Sequence, residues 1–153
     1  MFKVQIIRSG SAPFHFKVSA EDLNLNDESS ENNFSDIIID GEIVDDGKLF
    51  NVKGTIKCRK SFICDRCLEP SIEEQLHEFN EELTFSEVED NIADLTELLR
   101  DTVIASQPIQ NLCKSNCKGL CPICGANLNK GDCKCDQLIV DPRLEVLKNF
   151  LNK

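Results

Sequence analysis

The chain has no tryptophan, no tyrosine and one methionine among its 153 residues, so its aromatic packing rests on nine phenylalanines. It has only two histidines. His15 lies in an alternating stretch and His77 in an acidic one, with no partner at catalytic spacing, and both read as structural. No Ser–His–acid order, phosphate-binding glycine loop or paired-carboxylate motif appears, so a non-enzymatic role is expected. No apolar run approaches the roughly 20 residues that a membrane-spanning helix requires. Bases are scarce as well: 17 Lys and Arg stand against 27 Asp and Glu, a net charge of −10. That balance excludes a wholly basic nucleic-acid binder but leaves room for one or two small basic patches.

The charge is unevenly spread. Residues 19–47 carry ten acids and no base, and residues 72–101 carry eleven acids and one base. Between them, residues 48–71 carry six bases against two acids; residues 102–135 carry Lys114, Lys118, Lys130 and Lys134 against Asp132 alone. The two basic segments are also the ones that hold the cysteines.

Strand patterns dominate the first half. Residues 1–10 alternate Phe2, Val4 and Ile6 with Lys3, Gln5 and Arg8. That is a strand pattern rather than a signal peptide, and a cytoplasmic location is expected. Phe14, Phe16 and Val18 alternate again. Residues 19–35 are polar and acidic and read as a mobile loop. The β-branched run Ile37-Ile38-Ile39 and Ile43-Val44 predicts a strand that turns at Asp45-Asp46-Gly47 into a second one. In this second strand Val52, Gly54, Ile56 and Cys58 share a dry face, while Lys53, Thr55, Lys57 and Arg59 share the wet one. Residues 72–85 fit either helix or strand spacing, with strand preferred. Residues 94–106 read as a helix, with Asp94 as N-cap, Glu97 at the third position and Pro108 beyond its end. Asp141-Pro142 opens a last helix carrying Leu144, Leu147, Phe150 and Leu151 on one side. Strands first and helices later predict an α+β fold: a β-rich domain over residues 1–110, then a cysteine-rich zinc-binding segment with a C-terminal helix over residues 111–153.

Nine cysteines are an odd number, and a reducing compartment favours metal over disulfides. Cys113, Cys117, Cys121, Cys124, Cys133 and Cys135 fall within 23 residues that contain almost nothing apolar. Such a segment cannot order itself by burying surface, whereas zinc held by four thiolates supplies folding free energy directly. Thiolates alone do not select the metal, and an iron–sulfur cluster is the alternative. Cys121-Pro122-Ile123-Cys124-Gly125 has the form of a zinc knuckle, a tight turn whose amides point at sulfur. Its partners are Cys133 and Cys135, or Cys113 and Cys117, or all six thiols hold two metals. A second pair, Cys64-Asp65-Arg66-Cys67, reads as half a metal site, a redox pair, or a tight turn between strands with its thiols packed inward. The last reading is preferred, which makes this pair dispensable for metal. Cys58 is a core residue by strand parity.

These blocks together resemble the YceD family, the large ribosomal RNA subunit accumulation proteins. The resemblance rests on Cys64-Asp65-Arg66-Cys67-Leu68-Glu69-Pro70, the 94–106 helix ending before Pro108, and Cys117-Lys118-Gly119-Leu120-Cys121-Pro122-Ile123-Cys124-Gly125-Ala126-Asn127-Leu128. Cys133, Cys135 and Asp141-Pro142-Arg143-Leu144 complete it, over roughly residues 60–150. It implies a factor needed for accumulation of 23S ribosomal RNA and assembly of the large subunit, with rRNA or a basic ribosomal protein as partner. Lys53, Lys57, Arg59 and Arg66 are the candidate phosphate contacts. An acidic binder of a basic ribosomal protein and a thiol redox protein using Cys64 and Cys67 are the competing expectations.

Overall fold

A computed structural model describes residues 2–26 and 32–135. The C-terminal helix expected from residue 141 lies outside the described residues. Seven strands and one α-helix are found among those described: β1 (Lys3–Gln5), β2 (Ser11–Val18), β3 (Asn33–Asp45), β4 (Phe50–Ile63), β5 (Pro70–Leu83), β6 (Val88–Glu89), β7 (Ile92–Asp94) and α1 (Thr96–Ala105). Two antiparallel sheets form, a four-stranded meander in the order β2-β3-β4-β5 and a small one in the order β1-β7-β6. The architecture agrees with the expected α+β class in outline, and β dominates it. The stretch over residues 72–85 resolves as strand β5.

Strand parity sets the core. Along β4, Phe50, Val52, Ile56, Cys58 and Phe62 are buried, while Lys53, Lys57 and Arg59 face solvent. Ile39 and Ile43 of β3, Val4 of β1, Ala93 of β7, and Leu95, Leu99 and Val103 from α1 and its approach join the same apolar cluster. The buried residues of the helix, Leu99 and Val103, lie one turn apart along one face.

One row across the meander is built differently. Phe14 on β2 stands opposite Gly41 on β3, Gly41 opposite Gly54 on β4, and Gly54 opposite Phe79 on β5. The two rings reach inward over the paired glycines and stack, with centroids 6.5 Å apart and planes 18° from parallel. A Cβ on Gly41 would lie 2.6 Å from the Phe14 ring, and one on Gly54 would lie 2.3 Å from the Asp40 carbonyl oxygen and 2.7 Å from the Phe79 ring. The glycines are required because the flanking phenylalanines occupy their side-chain space.

Two expectations are corrected. Asp94 does not cap α1; it pairs with Lys3 in the β7–β1 ladder, and Leu95 occupies the N-cap position. The Asp94 carboxylate instead accepts hydrogen bonds from the backbone N–H and hydroxyl of Thr96, at 3.1 and 2.5 Å. Recruitment of the chain by β1 outweighs the local cap. The acidic stretch after β2 is also more than a loop: Leu23 and Leu25 are buried in the core, and β3 begins at Asn33.

Substituting Gly54→Ala is expected to destabilise the protein by about 1–3 kcal/mol, the usual cost of overpacking. Gly131→Ala, where an added Cβ meets nothing within 4 Å, should stay within about 0.5 kcal/mol. Urea unfolding of both variants checks the pair; equal effects would remove the steric argument.

Candidate metal centres

The loop between β4 and β5 carries Cys64 and Cys67, and it repeats the hydrogen-bond plan of the turn at Cys121 and Cys124. In the first, the Cys64 N–H donates to the Glu69 carbonyl (3.0 Å) and the Leu68 N–H to the Cys64 carbonyl (2.9 Å). In the second, the Cys121 N–H donates to the Ala126 carbonyl (2.8 Å) and the Gly125 N–H to the Cys121 carbonyl (2.9 Å). The residue after each Cys-x-x-Cys is left-handed, Leu68 at φ +56 and Gly125 at φ +73. Both turns are therefore knuckles, and the repeated cysteine pair in the sequence is a repeated structure. A leucine in a conformation that favours glycine hides this in the first copy.

Each knuckle meets a second pair of thiols. The sulfurs of Cys64, Cys67, Cys113 and Cys117 all lie within 4.8 Å of one another, and so do those of Cys121, Cys124, Cys133 and Cys135. Within the first group, Cys64 Sγ is 3.9 Å from Cys117 Sγ, and Cys67 Sγ is 3.7 Å from Cys113 Sγ. Four sulfurs at about 2.3 Å from one tetrahedral ion sit about 3.8 Å apart, so both clusters fit a single four-coordinate metal. Disulfides, with sulfurs about 2 Å apart, do not fit, and all nine cysteines are free. A four-iron cluster places each thiolate on a different iron, which spreads the sulfurs further than either cluster allows.

Of the groupings left open by the sequence, Cys121 and Cys124 gather with Cys133 and Cys135. Cys113 and Cys117 gather with Cys64 and Cys67, which replaces the expectation of a turn dispensable for metal. The inward packing of that turn is present all the same, with Cys64 and Cys67 0% and 4% exposed. Cys58 lies in the core as expected.

The thiols within each cluster are shifted in opposite directions. Burial opposes ionisation of Cys64, yet the backbone N–H groups of Cys113, Cys67 and Arg66 turned on its sulfur bring its pKa down to about 6. The N–H groups of Cys124 and Ile123 bring Cys121 down to about 6. Burial and the crowding thiols of Cys117, Cys67 and Cys64 push Cys113 up to about 12, and the Cys124 thiol does most to push Cys135 up to about 12. In the inner group Cys64 and Cys117 are lowered while Cys67 and Cys113 are raised, and in the outer group Cys121 is lowered while Cys135 is raised; a bound cation would offset the repulsion between neighbouring thiolates. An outer partner is present too: Asn129 Nδ2 donates to Cys117 Sγ at 3.3 Å.

The first cluster is tied to the sheet by polar contacts. Asp65 and Asn111 bond reciprocally, Asp65 N–H to the Asn111 carbonyl at 2.9 Å and Asn111 N–H to the Asp65 carboxylate at 2.6 Å. Lys60, only 1% exposed, donates its Nζ to Asn111 Oδ1 at 2.6 Å and to Gln107 Oε1 at 2.8 Å, between the rings of Phe34 and Phe62. The chain of contacts runs on through Gln107 to Gln75, then His77 and Ser106. Burial lowers the pKa of both Lys60 and His77. Spacing and motif do not reveal this seam, although one signal points to it: Lys60 has the parity of Ile56 and Cys58, on the dry face.

Three of the four candidate phosphate contacts lie along the exposed face of β4 and the fourth in the loop that follows it. Lys53 pairs with Glu42 at 3.0 Å, and Arg59 pairs with Asp36 at 2.7 Å and Glu74 at 3.6 Å. Lys57 is exposed and makes no ion pair among the described residues. Arg66 sits on the first knuckle, where its Nη1 donates to the Cys117 carbonyl at 3.1 Å.

A family model described as large ribosomal RNA subunit accumulation protein YceD matches residues 71–151. The large ribosomal RNA subunit accumulation protein YCED homolog 1, chloroplastic, of Arabidopsis thaliana is 48% identical over 42 residues; the match covers 28% of this chain and 13% of that protein. No solved structure matches.

Two substitutions test the local account. Lys60→Met keeps the bulk but leaves Asn111 Oδ1 and Gln107 Oε1 without their donor, so a loss of about 1–3 kcal/mol is expected in urea unfolding. Leu68→Gly relieves a left-handed leucine that is 64% exposed, and the thermal midpoint should hold or rise, by at most about 1 kcal/mol of stability. A marked fall would mean that the leucine side chain packs against something the free chain needs.

Proposed function

The chain belongs to the YceD family, and from that premise we propose that it supports accumulation of 23S ribosomal RNA as a non-enzymatic factor. In this reading it docks on large-subunit precursors in the cytoplasm through the module that the two thiol clusters hold together. The family match over residues 71–151 carries the role. Zinc is the metal that best suits closed sites of four thiolates, with no open position for chemistry. The convergence of Cys64 and Cys67 on two further thiols favours such a site over a two-thiol redox pair.

The docking surface follows from which cations are free. Lys53 and Arg59 are engaged by carboxylates, as are Lys118 with Asp132 and Lys130 with Glu69. Lys57, Arg66, Lys114 and Lys134 are exposed without an ion pair among the described residues, and the last three lie in the cysteine segments. In the same cysteine segments the apolar side chains of Leu68 and Ile123, on the two knuckles, are 64% and 49% exposed. Cations and apolar tips suit unpaired RNA, which offers phosphates and base faces together.

A second reading is favoured by a different observation. The groove between β5 and α1 is lined by Glu81, Glu82, Glu87, Asp94, Glu97 and Asp101, with no base. Such a surface suits a basic ribosomal protein rather than RNA.

Replacing Arg66, Lys114 and Lys134 together by Glu is expected to lower 23S RNA abundance in cells and the RNA recovered by crosslinking, with the fold intact by circular dichroism. The salt dependence of particle binding should flatten by about one unit for each phosphate that is no longer neutralised. Normal 23S levels in that variant, together with a fall when Glu81, Glu82 and Glu97 are changed to Lys, would overturn RNA docking in favour of the second reading.

A further inference from the structure

We infer that the two clusters are unequal metal sites, an inner ion that fastens the cysteine module to the sheet and an outer one that exchanges with solution. This rests on the metal reading above and adds a division between the sites.

Access differs first. In the inner cluster Cys64, Cys67 and Cys117 are buried and only Cys113 is exposed. In the outer one Cys121 alone is buried; Cys124 is exposed, and Cys133 and Cys135 are intermediate. A chelator or competing thiol removes zinc by attacking it associatively, so it needs a path to the ion. Three ligands of the outer site offer one.

Restraint differs as well. The inner thiols come from segments 46 and 53 residues apart across their two closest pairs. Both segments are pinned by bonds that do not involve sulfur: the Asp65–Asn111 pair, Leu120 N–H to the Arg66 carbonyl at 3.1 Å, and Arg66 to the Cys117 carbonyl. Lys60 fixes Asn111 from the sheet. A ligand that detaches from the inner ion is therefore held beside it and rebinds. The outer ligands, by contrast, all come from one 15-residue stretch, residues 121–135. Leu120 and Gly119 lie against Arg66, so the outer knuckle packs on the inner one. The Asp65–Asn111 and Lys60–Asn111 bonds do not pass through the outer site, and loss of the outer ion is expected to leave the inner site standing.

The test uses the full chain loaded with zinc and 4-(2-pyridylazo)resorcinol as competitor. Two equivalents should be released in two phases, separated by about ten-fold or more, the scale on which outer contacts change metal affinity. Cys133→Ser with Cys135→Ser should abolish the fast phase and keep the slow one. Cys113→Ser with Cys117→Ser should abolish the slow phase. A measurement without variants runs alongside: timed alkylation by N-ethylmaleimide, read by mass spectrometry, should label Cys124, Cys133 and Cys135 before Cys64, Cys67 and Cys117. Release of two equivalents in one phase, or labelling of both clusters together, would overturn the division while leaving the metal reading intact. A chain that binds no metal would overturn both.

Discussion

Residues 111–135 contain almost nothing that can hold them against the sheet by apolar burial. What brings them there is the approach of Cys113 and Cys117 to Cys64 and Cys67. Leu112 is the partly buried hydrophobic packed against that small cluster. Sulfur therefore takes the place that leucine and isoleucine have in the main core. The knuckle at Cys64 is a product of the sheet, since β4 and β5 stay paired down to Ile63 and Pro70 and deliver the loop with its geometry already set. The sheet presents two thiols, the tail supplies two more, and residues 113–135 take their position from that meeting.

This dependence changes the meaning of the charge pattern. Four thiolates around a divalent ion carry a net charge of −2, and two such sites carry −4. The lysines and Arg66 of the cysteine segments would offset that charge, so the local excess of bases in the sequence would be smaller with metal bound. Glu69 shows how closely the balance is drawn: Lys130 Nζ and Asn127 Nδ2 both donate to its Oε1, at 2.6 and 3.3 Å, and bind the outer knuckle to the inner loop. Lys130 holds the Glu69 carboxyl below the usual carboxylate range. Counting charges along a sequence treats cysteine as neutral, and here that is the main omission.

The strands and their facing were legible because alternation is a local signal: each residue of β4 reports its own face, and a 14-residue strand repeats the message. The outer group was legible in part: Cys121 and Cys124 were the surest pair, and Cys133 and Cys135 stood among their possible partners in the same short, apolar-poor stretch. The inner cluster was not. Its two halves are separated by β5, the small sheet and α1, and nothing local to Cys64 says which distant thiols will arrive. Leu68 in the position that Gly125 fills in the other knuckle removed the one local cue. Asp94 failed for the opposite reason: a sound capping pattern was overridden by pairing with β1, which begins more than ninety residues earlier in the chain.

Lys60 shows how the two kinds of information meet. Its parity places it inside, and its chemistry demands partners there, because a buried ammonium without hydrogen bonds is too costly to keep. The sheet alone cannot supply them; Glu73 stands opposite on β5 without an ion pair to it among the described residues. The amide oxygens come from Gln107 and Asn111, in the turn that leads from α1 to the first tail cysteine. A lysine on the dry face of a strand is thus a statement about a distant segment: it requires that segment to pass over the sheet at one place. In doing so it aims Cys113 at Cys67, and the polar seam and the thiol cluster become one device for closing the fold.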